Sequence, residues 1–131
     1  MKRYEERRDD LAKAVASLKA GLEEPATELA IDGVLHRFEF TFELMWKTIK
    51  DYLEYIGIVE KTGSPREVIK SAFENALIED GEEWIDMMLA RNQLSHIYDK
   101  QMSRDIYFDI KNIYLSLLEE VEQKLPSKLD N

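Results

Sequence analysis

With 131 residues the chain has the length of one domain, read here as a single unit over 1–131, and a domain of that size buries roughly two thirds of the surface its unfolded chain exposes. It has no cysteine, which excludes disulfides, thiolate catalysis and cysteine-based metal sites, and its formal net charge of -9 argues against loose, sequence-blind binding to nucleic acid, because that affinity comes from Lys and Arg neutralising phosphates. The N-terminus MKRYEERRDD lacks the apolar stretch of a signal peptide and no apolar run approaches the roughly 20 residues of a bilayer span, so a cytoplasmic protein is expected.

Few prolines and glycines, with long patterns of period 3.6, predict an all-α fold: an up-and-down four-helix bundle with one additional short helix. Tyr4, Leu11, Val15, Leu18 and Leu22 mark a first helix over about 2–22. Ile31, Leu35, Phe38, Phe42, Met45, Ile49, Tyr52 and Ile56 mark a second, over about 28–56, stopped by Gly57, which reaches positive φ without a Cβ clash. At 1.5 Å per residue it spans about 40 Å and forms the spine of the bundle.

Ser64, Pro65 and Glu67 then form a helix start, with a serine cap, proline at the first turn and a glutamate to close a capping box. A short helix follows, carrying Val68, Ile69, Ala72, Phe73 and Leu77. Asp80-Gly81-Glu82-Glu83 launches a fourth helix through Trp84, Met87, Met88 and Arg91. After a polar joint at 99–102, Ser103 is the expected cap of a last helix whose Ile106, Ile110, Ile113, Leu117, Val121 and Leu125 run to Pro126, with 126–131 read as a frayed tail. Between Ser71 and Ala90 there are six carboxylates and no Lys or Arg, which makes that stretch either a solvated face or a docking surface for a basic partner.

Continued as a regular helix, the fourth segment places Trp84, Met87, Arg91, Leu94 and Tyr98 on one stripe and Asn92 with His96 on the next. An arginine on an apolar stripe needs a partner, since an unpaired buried charge is disfavoured by several kcal/mol. Glu39 and Glu43, four apart beside the core stripe of the second helix, are the candidates. One reading is therefore an inter-helix salt bridge. The other is chemical: arginine can hold a phosphate bidentately, histidine can move a proton near neutral pH, and tyrosine can donate or accept a modification, which are the parts of metal-independent RNA cleavage. A single histidine leaves one proton-transfer group missing, and a two-fold axis near the motif would supply it from a second copy.

Arg91, His96 and Tyr98 also match the R-x4-H-x-Y signature of HEPN domains, with Asn92 as the polar residue after the arginine. Together with RFEFTFELMWKTIKDYL at 37–53 and SPREVIKSAFENALI at 64–78, the chain resembles the nucleotidyltransferase substrate-binding subfamily over about residues 4–125. The resemblance implies a helical bundle, a homodimer and a separate minimal nucleotidyltransferase as partner. It implies an RNA-cleaving toxin in which Arg91 holds phosphate, His96 moves the proton and Tyr98 accepts AMP from the partner acting as antitoxin. An older description of such chains implies instead a non-catalytic subunit that binds substrate for the nucleotidyltransferase. A third reading makes the motif a polar ring that sets dimer register.

Other candidates are weaker. His36 and His96 without a spaced carboxylate set make a poor metal pair, so no metal is assigned and His36 is read as a surface or cleft-edge residue. Phe38, Phe42 and Tyr52 lie on the core stripe, whereas Phe40 and Trp46 lie off it and suit a dimer or partner surface. No glycine-rich phosphate loop or nucleophile elbow is present, and no cofactor is expected.

Overall fold

The protein is described by a computed structural model covering residues 2–58, 63–97 and 99–129. The amphipathic stripes of the first two segments become α1 (Lys2–Glu23) and α2 (Glu28–Tyr55), joined by a short turn at Pro25. Cross-links pair early residues of one with late residues of the other, so the two are antiparallel: Arg7 with Asp51 at 2.8 Å, the Thr41 hydroxyl with the Ala14 carbonyl at 3.3 Å, and Arg37 with the Ser17 carbonyl at 2.7 Å. Thr27 caps α2 by accepting from the Ala30 amide. At the other end Gly57, at φ 93, lets Ile58 donate back to Leu53 and Gly57 to Glu54, a six-to-one and five-to-two pair that closes the helix.

Along α2, Phe38, Phe42, Met45, Ile49 and Leu53 are fully buried, each contributing about 1.5–3 kcal/mol by removal from water. The stripe fades at its end, where Tyr52 is half-buried and Ile56 is 45 % exposed.

The short helix α3 (Pro65–Glu74) starts as expected, with Ser64 accepting from the Glu67 amide. It stops three residues before Leu77. Ala76 adopts φ 62 and Leu77 donates back to the Ala72 carbonyl, a left-handed turn that drops Leu77 and Ile78 into the core from outside the helix. Phe73 is not a core residue: it is 51 % exposed and its ring lies over Gly81, because Ile69 and Ala72 already hold the inward face.

Next come α4 (Gly81–Gln93), a 3-10 turn (Leu94–His96), α5 (Lys100–Asp109), a π-turn (Ile110–Tyr114) and α6 (Leu115–Lys124), the last three forming one rod. Asp80 begins α4 without a side-chain cap bond. The cap of α5 is Asp99, which accepts from the Met102 amide at 2.8 Å, so the rod starts earlier than a Ser103 cap implies. The rod is antiparallel to α1. The Tyr4 hydroxyl donates to the Pro126 carbonyl, and Arg8 reaches the Glu122 and Leu125 carbonyls and the Glu122 carboxylate, placing a cation at the negative end of the α6 dipole. Burial pushes the Tyr4 phenol up to about 12. Leu129, in the segment read as a tail, is buried.

Within the rod the π-turn reassigns two positions. Regular winding puts Ile113 on the core face, but the Leu115 amide donates to Ile110, one residue further back than an α-helix allows. The under-winding carries Ile113 outward, to 39 % exposure, and brings Tyr114 inward to stack on Phe38 at 5.8 Å. Among the described residues there is no strand, and no helix is long and apolar enough to cross a membrane.

Candidate functional site

Arg91 sits in the last turn of α4, where its stripe-mates Trp84 and Met87 are buried and Leu94 is half-buried. It is answered from α2: its Nη2 donates to the Glu43 carboxylate at 2.7 Å, with side chains 27 % and 33 % exposed. Glu43 is a hub, since Trp46 Nε1 donates to it at 2.9 Å and Lys47 pairs with it at 3.2 Å. Burial alone would raise its pKa, but the hydrogen bonds from Trp46 and Lys47 and the charges of Arg91 and Lys47 outweigh burial and hold the carboxyl below its ordinary value. Of the two carboxylates expected to answer the arginine, Glu43 does so and Glu39 does not.

The Arg91 fork is only partly used. Its Nη1 makes a long 3.5 Å contact with the exposed Asn92 side chain, and its Nε is buried with no partner among the described residues.

After Gln93 the backbone tightens. Leu94, Ser95 and His96 form the 3-10 turn, and Ile97 turns extended at φ -87, ψ 117. His96 ends the turn on the surface, exposed. A 3-10 turn advances about 120° per residue against 100° in an α-helix, so three such residues rotate His96 roughly 60° further around the axis. That moves it away from Arg91. No hydrogen bond or ion pair joins Arg91 to His96 among the described residues, and within one chain they occupy different sides of the motif. Tyr98, the expected AMP acceptor, lies outside the described residues.

Beside the motif is a cleft of about 600 Å³ between α2 and the chain from Leu94 to Arg104. Its α2 wall carries Ile31, Asp32, Leu35, His36 and Glu39; the facing wall carries Leu94, Ile97, Lys100, Ser103 and Arg104. His36, which helical phase puts off the core stripe, is at a cleft edge. Lys100 pairs with Glu28 at 3.2 Å across the mouth, both side chains largely exposed, so that pair adds little stability. Sequence pattern alone does not single out the cations of this wall, because they follow an apparent joint; the signal that could have found them is Asp99, a cap residue at the start of α5.

Known proteins resemble the chain in sequence and in fold. The family described as nucleotidyltransferase substrate binding protein like matches residues 6–127. A probable ribonuclease HepT of Haemophilus influenzae is 29% identical over 100 residues, 72% of this chain and 68% of the relative. A solved structure from Thermus thermophilus superposes with a TM-score of 0.78 at 32% identity, covering 88% of this chain and 98% of that one. A Haemophilus influenzae protein, described as revealing the fold of a substrate binding domain of a nucleotidyltransferase, superposes equally well, TM-score 0.78, at 24% identity over 90% of this chain and 98% of its own, a likeness of fold.

Proposed function

The chain belongs to the nucleotidyltransferase substrate binding protein-like family, and from that premise we propose that it is a cytoplasmic, metal-independent ribonuclease of the HEPN type, a single-domain toxin neutralised by a minimal nucleotidyltransferase that attaches AMP to Tyr98. The observation that carries this reading is the division of the motif: Arg91 is held by Glu43 through one Nη while the other makes only a long contact with the exposed Asn92, and the 3-10 turn delivers His96 to the surface on another side. The similarity to a probable ribonuclease supports the same class of reaction.

The separation within one chain gives a homodimer its role. Across a two-fold axis, Arg91 of one copy and His96 of the other face a shared groove, and the second His96 supplies the second proton-transfer group. One imidazole takes the proton from a ribose 2'-hydroxyl as its oxygen bonds to the adjacent phosphorus. The P–O5' bond breaks, the other imidazolium protonates the leaving 5'-oxygen, and the Arg91 guanidinium holds the charge that builds on the phosphoryl oxygens. The products are a 2',3'-cyclic phosphate and a 5'-hydroxyl.

The test is incubation with single-stranded RNA in EDTA. Wild type yields cyclic-phosphate ends, and His96→Ala yields none while keeping its melting temperature and its dimer. Cleavage by His96→Ala at the wild-type rate, or a strict monomer by light scattering, overturns the reading. With the nucleotidyltransferase and ATP, wild type gains the mass of AMP and Tyr98→Phe does not.

The second reading, a non-catalytic subunit binding substrate for the nucleotidyltransferase, is favoured by one feature: the cleft is large enough for a nucleotide and lined by an apolar floor with convergent polar groups. Wild type that binds nucleotide and cuts no RNA would decide for it.

A further inference from the structure

Asp32, His36 and Glu39 stand at positions i, i+4 and i+7 of α2, so they form one exposed stripe along the cleft, beside the buried Ile31 and Leu35 that make its floor. Leu94 and Ile97 close the opposite side. None of the ring nitrogens of His36 or the carboxylate oxygens of Asp32 and Glu39 is engaged by a described residue, and Arg104 is likewise unpaired among the described residues. The cleft thus combines an aliphatic slot with an unengaged donor and unengaged acceptors at one end and a cation at the other.

The spacing has chemical content. α2 and α5 run side by side in the same direction, with Lys100 level with Glu28 and hence Arg104 level with Asp32. From there to Glu39 is seven residues, roughly 10 Å along the axis, about the distance from the phosphate of a nucleotide to the outer edge of its base. At the far end, His36 and Glu39 are one turn apart, with Cβ atoms about 5–6 Å from each other. A ring N–H of His36 supplies one donor and the Glu39 carboxylate two acceptors.

Only guanine presents the complementary edge, an O6 acceptor followed by N1–H and N2–H donors. Uracil sets its O2 carbonyl against the carboxylate, and cytosine and adenine put an amino group where His36 donates. A base edge left unmatched against these groups weakens binding by about fivefold or more, which is the discrimination such a site can exert. Glu28 and Asp32 offset the positive charge at the phosphate end, so overall affinity is weak and selection resides in the base edge.

We propose that this cleft is a guanine-nucleotide subsite, with His36 and Glu39 reading the base edge, Leu35, Leu94 and Ile97 packing on the ring, and Arg104 meeting the phosphate. As a statement of which nucleotide lies beside the cut it rests on the ribonuclease reading; as a binding site it stands apart from it.

The test uses uncleavable 2'-O-methyl trinucleotides with adenine flanks and a central guanine or uracil, titrated into the full-length protein by fluorescence anisotropy. The guanine form binds at least fivefold more tightly; Glu39→Gln and His36→Ala each bring the two forms near parity with unchanged melting temperature, and Arg104→Ala weakens both forms equally. Equal binding of the two by wild type, no measurable binding of either, or a preference that survives both substitutions overturns the proposal. Failure of the ribonuclease reading shows differently, as an intact guanine preference in a protein that cuts no RNA.

Discussion

The two places where the helices depart from regular winding differ in direction and in use. At Leu94–His96 the backbone tightens at the surface, ends α4 and exposes His96; at Ile110–Tyr114 it loosens inside the rod, keeps the helix going and changes which side chain reaches the core. Tightening at the surface makes a terminus that presents chemistry. Loosening in the core absorbs one extra residue, so that Tyr114 meets Phe38 while Leu117, Leu118 and Val121 downstream stay on the buried face.

The largest contrast comes from deleting one residue inside the loosened turn and another in a helix that has no such turn. Removing Ile113 lets Leu115 donate four residues back instead of five, regularising the winding without rotating α6, and the expected outcome is a cooperative fold melting within a few degrees of wild type. Removing the exposed Phe40 from α2, which has no loosened turn to absorb the loss, turns Phe42, Met45, Ile49 and Leu53 about 100° off the core. At about 1.5–3 kcal/mol for each large side chain, that approaches the whole stability of a domain, and thermal melts should show no cooperative transition.

Smaller effects follow at the helix ends. Ala76 holds φ 62, where a Cβ costs about 1–2 kcal/mol, so Ala76→Gly should stabilise the fold by about 0.5–1 kcal/mol after the entropy that glycine adds to the unfolded chain. Asp99→Ala should cost about 1 kcal/mol by removing the α5 cap, and Ser103→Ala only a few tenths, since Ser103 merely makes a 3.4 Å contact with the Asp99 carbonyl. Equal losses for these two in chemical denaturation would contradict the capping assigned to Asp99.

What the sequence made legible follows from periodicity. Regular winding puts the stripe from Ile31 to Ile49 in the core and Arg91 on the extension of the α4 stripe, and the structure has both. The bundle class and the Arg91–Glu43 pairing were readable for that reason. The misplacements occur where winding changes: Ile113 and Tyr114 exchange roles at the π-turn, Phe73 and Leu77 are separated by the left-handed turn at Ala76, and the phase of His96 is altered by the 3-10 turn. Such departures are decided by packing across helices, which a pattern along one helix does not contain. The cleft was hidden for a related reason, since it requires α2 and α5 to lie parallel and adjacent, a matter of tertiary arrangement.

The smallest expected effects are electrostatic, and their signs oppose each other at the two ends of α4. Glu43, near its C-terminus, has a folded-state pKa below the ordinary 4.5, so its stabilising contribution is present above that value and is lost as pH falls through the depressed one. Glu43→Gln should therefore melt slightly below wild type at pH 7, by an amount set by a partly exposed pair worth about 0.2–1 kcal/mol, and rejoin it in acid. Asp109, facing Asp86 of α4, behaves inversely. Burial first, and then the charges of Asp105 and Asp86, raise its pKa above the ordinary 3.8, so the folded state is favoured by protonation and that advantage is lost as pH rises through the raised value. Asp109→Asn should melt slightly above wild type at pH 7 and rejoin it below about pH 3.8, approaching from the opposite side to Glu43→Gln. Parallel curves for the two variants across that range would contradict the assigned environments, because Glu43 pairs with the Arg91 guanidinium whereas Asp109 lies near the charges of Asp105 and Asp86.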